Sequence, residues 1–287
     1  MIDLSVIIVS WNTKKLLADC LDSIFNQTKD LDYEVIVVDN GSTDGSVDLI
    51  KKLKHQNLQL IENKDNLGFS KANNQGLKMA RGQYFLLLNS DTKVVGQALK
   101  NLVDFAKQKP LLGVVGPRLL NPNGSKQPSA APFLTLGRVF IWLVTGDRFL
   151  YSSPDNQRQV DWAMGAALLV TRGAIKKAGL LDEKFFMYLE EVEWCYRIKK
   201  AGFENWFYPK AKVYHLVRGG SPGGKKRAVC AIYQGLIYFY QKHFGPLPGS
   251  MLKLMLRTKA LGARVLGFLT GNKYLQETYA QAFKLVR

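Results

Sequence analysis

The sequence predicts an α/β fold: a Rossmann-like, mostly parallel central sheet with helices on both faces, continued by a C-terminal helical extension. Three features predict it. Apolar runs of strand length alternate with segments of helical period from Leu4 to Asp91, as in parallel strands covered on both faces. Each apolar run stops at small polar residues. After Gly224 the composition changes to Leu, Ile, Tyr and Phe interspersed with Lys and Arg. A chain of 287 residues, 47% of them hydrophobic, is long enough for one large domain with an appendage. The expected boundaries are 1–222, in halves of about 1–95 and 96–222, and a basic amphipathic helical region over 223–287.

The first strand is the β-branched run Leu4 to Val9, ending at Ser10-Trp11-Asn12-Thr13. Leu16, Leu17, Cys20, Leu21, Ile24 and Phe25 follow at helical spacing. Glu34 to Val38 is the second strand, and its tip is Asp39-Asn40-Gly41-Ser42-Thr43-Asp44. A helix carrying Val47, Ile50 and Leu53 leads to a strand over Leu58 to Ile61, and Ser70 to Ala80 is helical. Tyr84-Phe85-Leu86-Leu87-Leu88 is the strand on which the rest is organised, because it delivers Asn89-Ser90-Asp91 to the sheet edge. Gly96 to Lys107 is helical and Gly113 to Pro117 a short strand. Asn121 to Pro132, rich in Pro, Asn and Ser, is a surface loop, and Phe133 to Tyr151 shows no period. A strand within Met164 to Val170 begins with small residues, Gly165 among them, that let a ligand approach the backbone. Trp206 to Pro209 and Lys212 to His215 are short strands, and Val229 to Phe244 and Ser250 to Leu269 are helices.

Composition excludes several classes. The 40 Lys and Arg against 23 Asp and Glu, net +17, point to an anionic partner. A nucleic-acid binder is disfavoured because the aromatics are not gathered on one basic strand face and no recognition motif occurs. The three cysteines, with no Cys-x-x-Cys pair, fit free thiols in a reducing compartment. No uncharged apolar run reaches the roughly 18 residues of a spanning helix, and no signal peptide opens the chain, so the expected location is cytoplasmic. The helix over 250–269, with Lys253, Arg257 and Arg264 near one face, suits peripheral contact with an anionic membrane or packing on the core.

The candidate chemistry sits at the tips. Ligands of open α/β sheets bind outside the carboxyl ends of the strands, where Asp91 would hold a metal and a phosphate. The alternative is an ordinary Asx turn. Glu190, Glu191 and Glu193 follow an aromatic patch containing Tyr188. They read either as acids complementing a helix N-terminus or as a general base beside apolar walls. His215 ends an apolar strand and reads as structural or metal-binding. The turn Ser10 to Thr13 lacks a dinucleotide fingerprint, and Gly219 to Lys226 fails as a phosphate-binding P-loop because Lys226 stands where Ser or Thr is needed. What remains there is a linker, or a basic Gly-rich loop with Lys225 that covers a pyrophosphate.

Six segments in order resemble the family 2 glycosyltransferases of GT-A fold, closest to rhamnosyltransferase-like members, over about residues 3 to 240. They are Val6 to Asn12, Val37 to Asp44, Asn66 to Asn74, Asn89-Ser90-Asp91, Phe185 to Glu191, and Tyr208 to His215. The resemblance implies an inverting transfer of a sugar, rhamnose being the favoured one, from a dTDP- or UDP-sugar to a saccharide acceptor. A lipid-linked acceptor in cell-envelope polysaccharide synthesis is the expectation. It implies that Ser10, Asn12, Asp39, Asn40, Asp44, Gly68, Asn74, Asn89, Ser90 and Asp91 bind the nucleotide sugar. Asp91 and His215 would hold magnesium or manganese, Glu191 would be the base with Glu190 beside it, and Trp162, Gly165, Tyr188 and Lys225 would serve the acceptor or a loop. Two departures stand out: the family's Asp-x-Asp is Asn89-Ser90-Asp91 here, and Glu190-Glu191 replaces a common Glu-Asp. The first leaves a catalytically inactive sugar-nucleotide binder as the alternative.

Overall fold

The computed structural model describes residues 2–146, 151–216 and 224–286. The alternation holds through β1 (Leu4–Ser10), α1 (Lys14–Gln27), β2 (Tyr33–Asp39), α2 (Ser46–Lys52), β3 (Leu58–Glu62), α3 (Phe69–Met79) and β4 (Tyr84–Asn89). Then come β5 (Thr92–Val95), α4 (Ala98–Lys107), β6 (Leu112–Leu120), β7 (Lys126–Gln127), β8 (Ala130–Ala131) and α5 (Leu136–Thr145). They are followed by β9 (Arg158–Gln159), β10 (Trp162–Ala163), β11 (Ala167–Thr171), α6 (Arg172–Ala178), α7 (Glu190–Lys200) and β12 (Glu204–His215). Three helices close the chain: α8 (Gly224–His243), α9 (Pro246–Leu269) and α10 (Lys273–Leu285).

The chain forms two compact units. The first is Met1–Pro132, Tyr151–Phe186 and Glu191–Val217, and the second is Phe133–Leu150, Met187–Glu190 and Arg218–Arg287. The second unit therefore draws in α5 and the 187–190 corner as well as the C-terminal helices.

The first unit holds a ten-stranded mixed sheet whose main path runs β3-β2-β1-β4-β11-β6-β12-β5. β3, β2, β1 and β4 are mutually parallel, and β11 runs antiparallel to β4. The buried runs of β1 and β2 are β-branched on both faces because helices cover both sides. Register levels the polar tips: Ser10 lies beside Asp39, and Val9 beside Asn89. The tips expected from three separate runs thus share one edge.

Three local expectations are corrected. The 121–132 loop contains β7 and β8. The 133–151 stretch, expected to show no period, contains α5, opened by Thr135, whose side chain accepts from Arg138 N. The two short strands before His215 are one strand, β12, with a register shift between Tyr208 and Lys212 around Pro209, which lacks the N–H a ladder needs.

Candidate functional site

At the tips of β1 and β4 the hydroxyls form a chain. Ser10 Oγ lies 3.0 Å from Thr13 Oγ1, and Thr13 Oγ1 donates to Ser90 Oγ at 2.9 Å, joining the tip of β1 to the turn after β4. Asp39 is 1% exposed. Its Oδ1 accepts from Ser42 N at 2.8 Å, while Oδ2 is buried without a partner. A buried carboxylate oxygen in that state costs about 1–3 kcal/mol or more unless a ligand donor meets it. An N–H of a nucleobase or a ribose hydroxyl is such a donor. Asn40 is fully used: it accepts from Asn63 Nδ2 and donates to Asn66 Oδ1 and the Gly68 carbonyl. It shapes the 63–68 loop behind the tip of β2. Gly68 sits at φ +84, and an added Cβ would lie 2.6 Å from the Phe186 carbonyl, so the position admits only glycine.

Asp91 lies in the turn between β4 and β5. Its carbonyl accepts from Leu216 N at 2.8 Å, and β12 pairs His215 with Thr92, so the carboxylate and the imidazole meet. His215 Nε2 is 3.5 Å from Asp91 Oδ1. Gln127 settles the tautomer. Its Nε2 donates to Asn121 Oδ1 at 3.0 Å and to the His215 carbonyl at 3.4 Å, which turns Oε1 toward His215 Nδ1 at 2.8 Å. An amide oxygen only accepts, so Nδ1 carries a proton, and in the neutral ring Nε2 then offers its lone pair beside Asp91. An oxygen and a nitrogen donor, with the imidazole oriented through its other nitrogen, fit a divalent cation. No group of three or more His, Cys, Asp or Glu is placed to hold a metal ion among the described residues.

Glu191 comes to the same rim through the backbone before β11. Asn89 N donates to the Ala166 carbonyl at 2.9 Å, and an added Cβ on neighbouring Gly165 would lie 3.5 Å from Glu191 Cβ. Packing sorts the three carboxylates. Glu193 is fully buried and takes Arg197 Nε on both oxygens at 2.8 Å. Arg197 in turn donates to the Leu180 carbonyl at 2.7 Å and to the Ala178 carbonyl. Glu193 is thereby a structural anchor of α7. Glu190 is 5% exposed, and Glu191 alone of the three is partly open. Tyr188 and Leu189 both sit at φ +72, just ahead of α7. Consecutive left-handed non-glycine residues each cost of order 1–3 kcal/mol and mark functional corners.

Several expected ligand contacts have other partners. Asn12 Oδ1 accepts from Thr43 N, and Asp44 accepts from Lys14 N, Ser46 N and Ser46 Oγ, so both side chains lock the β1 and β2 tip loops together. Asn74 accepts from Leu181 N and donates to Leu181 O and Glu183 Oε1. These three hydrogen bonds position the 181–183 loop. Trp162 is 2% exposed and gives its indole N–H to Pro132 O, which makes it a packing residue. Lys225 stands exposed in the first turn of α8, and the Gly-rich stretch before it falls on 217–223, outside the described residues. Thr13, Asn63 and Gln127 were absent from the sequence-derived site, and Asn66 entered it only as the start of the Asn66 to Asn74 segment; each has a hydrogen-bond partner at least 12 residues away along the chain.

A sheet covered on both faces, with acidic and imidazole groups at the carboxyl rim of its parallel strands, is the GT-A arrangement. It superposes on the crystal structure of GalNAc-T7 with UDP, GalNAc and Mn2+ at a TM-score of 0.67 and 17% identity, covering 100% of this chain and 56% of that one. It also superposes on S. aureus TarS 1-349 in complex with UDP-GlcNAc at a TM-score of 0.63 and 20% identity, covering 98% and 79%. The glycosyl transferase family 2 profile matches residues 5–161, more than half of the chain, and the chain belongs to that family. Among its relatives is the N-acetylglucosaminyl-diphospho-decaprenol L-rhamnosyltransferase of Mycobacterium tuberculosis, 31% identical over 203 residues. That match covers 63% of this chain and 66% of the relative, just under two thirds of its length.

Proposed function

We propose that this chain is an inverting glycosyltransferase that moves a sugar from a nucleoside-diphosphate donor to a saccharide acceptor. The observation that carries the reading is the convergence at one rim of Asp91, His215 Nε2 at 3.5 Å from it, and the partly open Glu191 over Gly165. Asp39 Oδ2 takes a hydrogen bond from the nucleoside, and Ser90 faces the phosphates from the turn. Asp91 and His215 are the residues that hold magnesium or manganese. A bound divalent ion offsets the charge gathering on the leaving nucleoside diphosphate. Glu191 accepts the proton of the acceptor hydroxyl as that oxygen attacks the anomeric carbon from the face opposite the leaving group, a contribution of about 10²–10⁴-fold.

The similarity to a rhamnosyltransferase that acts on a diphospho-decaprenol saccharide supports dTDP-rhamnose as donor and a lipid-linked saccharide as acceptor. The protein would then work at the cytoplasmic face of a membrane, in cell-envelope polysaccharide synthesis. Asn89 in place of a carboxylate favours a second reading, a sugar-nucleotide binder without turnover. One experiment separates them. Wild-type protein with manganese is screened against nucleotide sugars for donor hydrolysis and transfer, beside Glu191→Gln. Turnover by wild type and its loss in Glu191→Gln, with donor binding retained, supports the transferase. Near-normal turnover in the variant overturns the base assignment, and donor binding without any turnover by wild type favours the second reading.

A further inference from the structure

The second unit carries a surface that the transfer chemistry does not use. Of the 17 large apolar side chains exposed among the described residues, 13 belong to it. On α9, Leu247, Met251, Leu254, Leu261, Val265 and Leu269 recur at spacings of four, three, seven, four and four, which sets them on one open face. The opposite face, Leu252, Leu256, Ala260 and Gly267, is buried. An apolar helix face left open along about 36 Å is far more than a soluble monomer ordinarily shows. α5, which packs on α9, repeats the pattern: Val139 and Leu143 are buried, while Phe140, Ile141 and Val144 are open.

Charge identifies the occupant. Lys253, Arg257 and Arg264 lie along one border of the α9 stripe and Lys259 along the other, and neither α5 nor α9 contains an acidic residue. Residues 218–287 hold twelve Lys and Arg against the single acid Glu277, so eleven of the seventeen net positive charges lie there. A second copy laid face to face would set the same cations against one another. An anionic bilayer offers acyl chains to the stripe and phosphates to its borders in one plane. No helix among the described residues is long and apolar enough to cross a membrane.

We infer that the open faces of α5 and α9 form a docking surface for anionic phospholipid membranes. The inference rests on the second unit alone and survives or fails apart from the proposed transfer. The test is flotation of the full chain with vesicles of phosphatidylglycerol and phosphatidylcholine, and with phosphatidylcholine alone. Partition onto the anionic vesicles is expected to be at least about 10-fold stronger and to weaken with salt. Leu254→Asp with Val265→Asp, and separately Phe140→Asp with Val144→Asp, should lose the partition at unchanged melting temperature. Lys253→Glu with Arg257→Glu and Arg264→Glu should lose the anionic preference. Nucleotide-sugar binding measured without vesicles should be unchanged in all of them. Wild-type protein that stays unbound by anionic vesicles overturns the inference. So does a wild-type dimer, seen by sedimentation and dispersed by Leu254→Asp with Val265→Asp, that ignores vesicles, since the face then belongs to a second copy.

Discussion

His215 Nδ1 lies 2.8 Å from Gln127 Oε1, and this contact decides which ring nitrogen faces Asp91. β7, which contains Gln127, pairs with β6, and β6 pairs with the strand that ends in His215. The orientation of the imidazole is thus set by a buried amide on a short strand rather than by the carboxylate beside it.

Gln127→Ala is therefore expected to lower manganese affinity by about 10–100-fold without changing the fold. Calorimetric titration of manganese in the presence of a nucleoside diphosphate, with circular dichroism as a control, checks it.

Glu193 and Glu191 are two residues apart but should respond to substitution in opposite ways. Glu193→Ala leaves the Arg197 guanidinium, with a side chain only 19% exposed, without its carboxylate. Breaking a buried pair on one side costs about 3–5 kcal/mol. Urea unfolding should register that loss, while Glu191→Gln should unfold at nearly the wild-type midpoint.

Glu34 gives the fold a defined acid sensitivity. Burial pushes its carboxyl up, but hydrogen bonds from the Arg81 N–H, from Ser5 and from the Arg81 guanidinium outweigh this and hold it below its ordinary value of 4.5. A lowered folded value means the stabilisation is complete above the unfolded value and is lost as pH falls through the folded one. Glu34→Gln should cost roughly 1–3 kcal/mol at neutral pH, and its deficit relative to wild type should close on acidification below about 4.5. Melting temperatures from pH 3 to 8 for both proteins check the crossing.

Much of the donor edge was legible because apolar runs that end in polar residues are enforced by burial. Ser10, Asp39 and Asp91 occupy the tips where their runs stop. What escaped was pairing at long range. Asn74 was expected at the nucleotide sugar, and its bond to Leu181, 107 residues away, could not be foreseen. Gln127 looked like part of a surface loop, yet it supports a histidine 88 residues on. Glu193 and Arg197 stand at the i, i+4 spacing of a helical ion pair, but only packing shows that this pair is buried while Glu191 stays partly open.

The most direct test of the central assignment is a calorimetric titration of dTDP and UDP into wild-type protein and Asp91→Ala, each with and without manganese. The account predicts nucleoside-diphosphate binding that requires manganese in the wild type and is at least about 10-fold weaker in Asp91→Ala. Equal affinity in both proteins, unaffected by manganese, would contradict it.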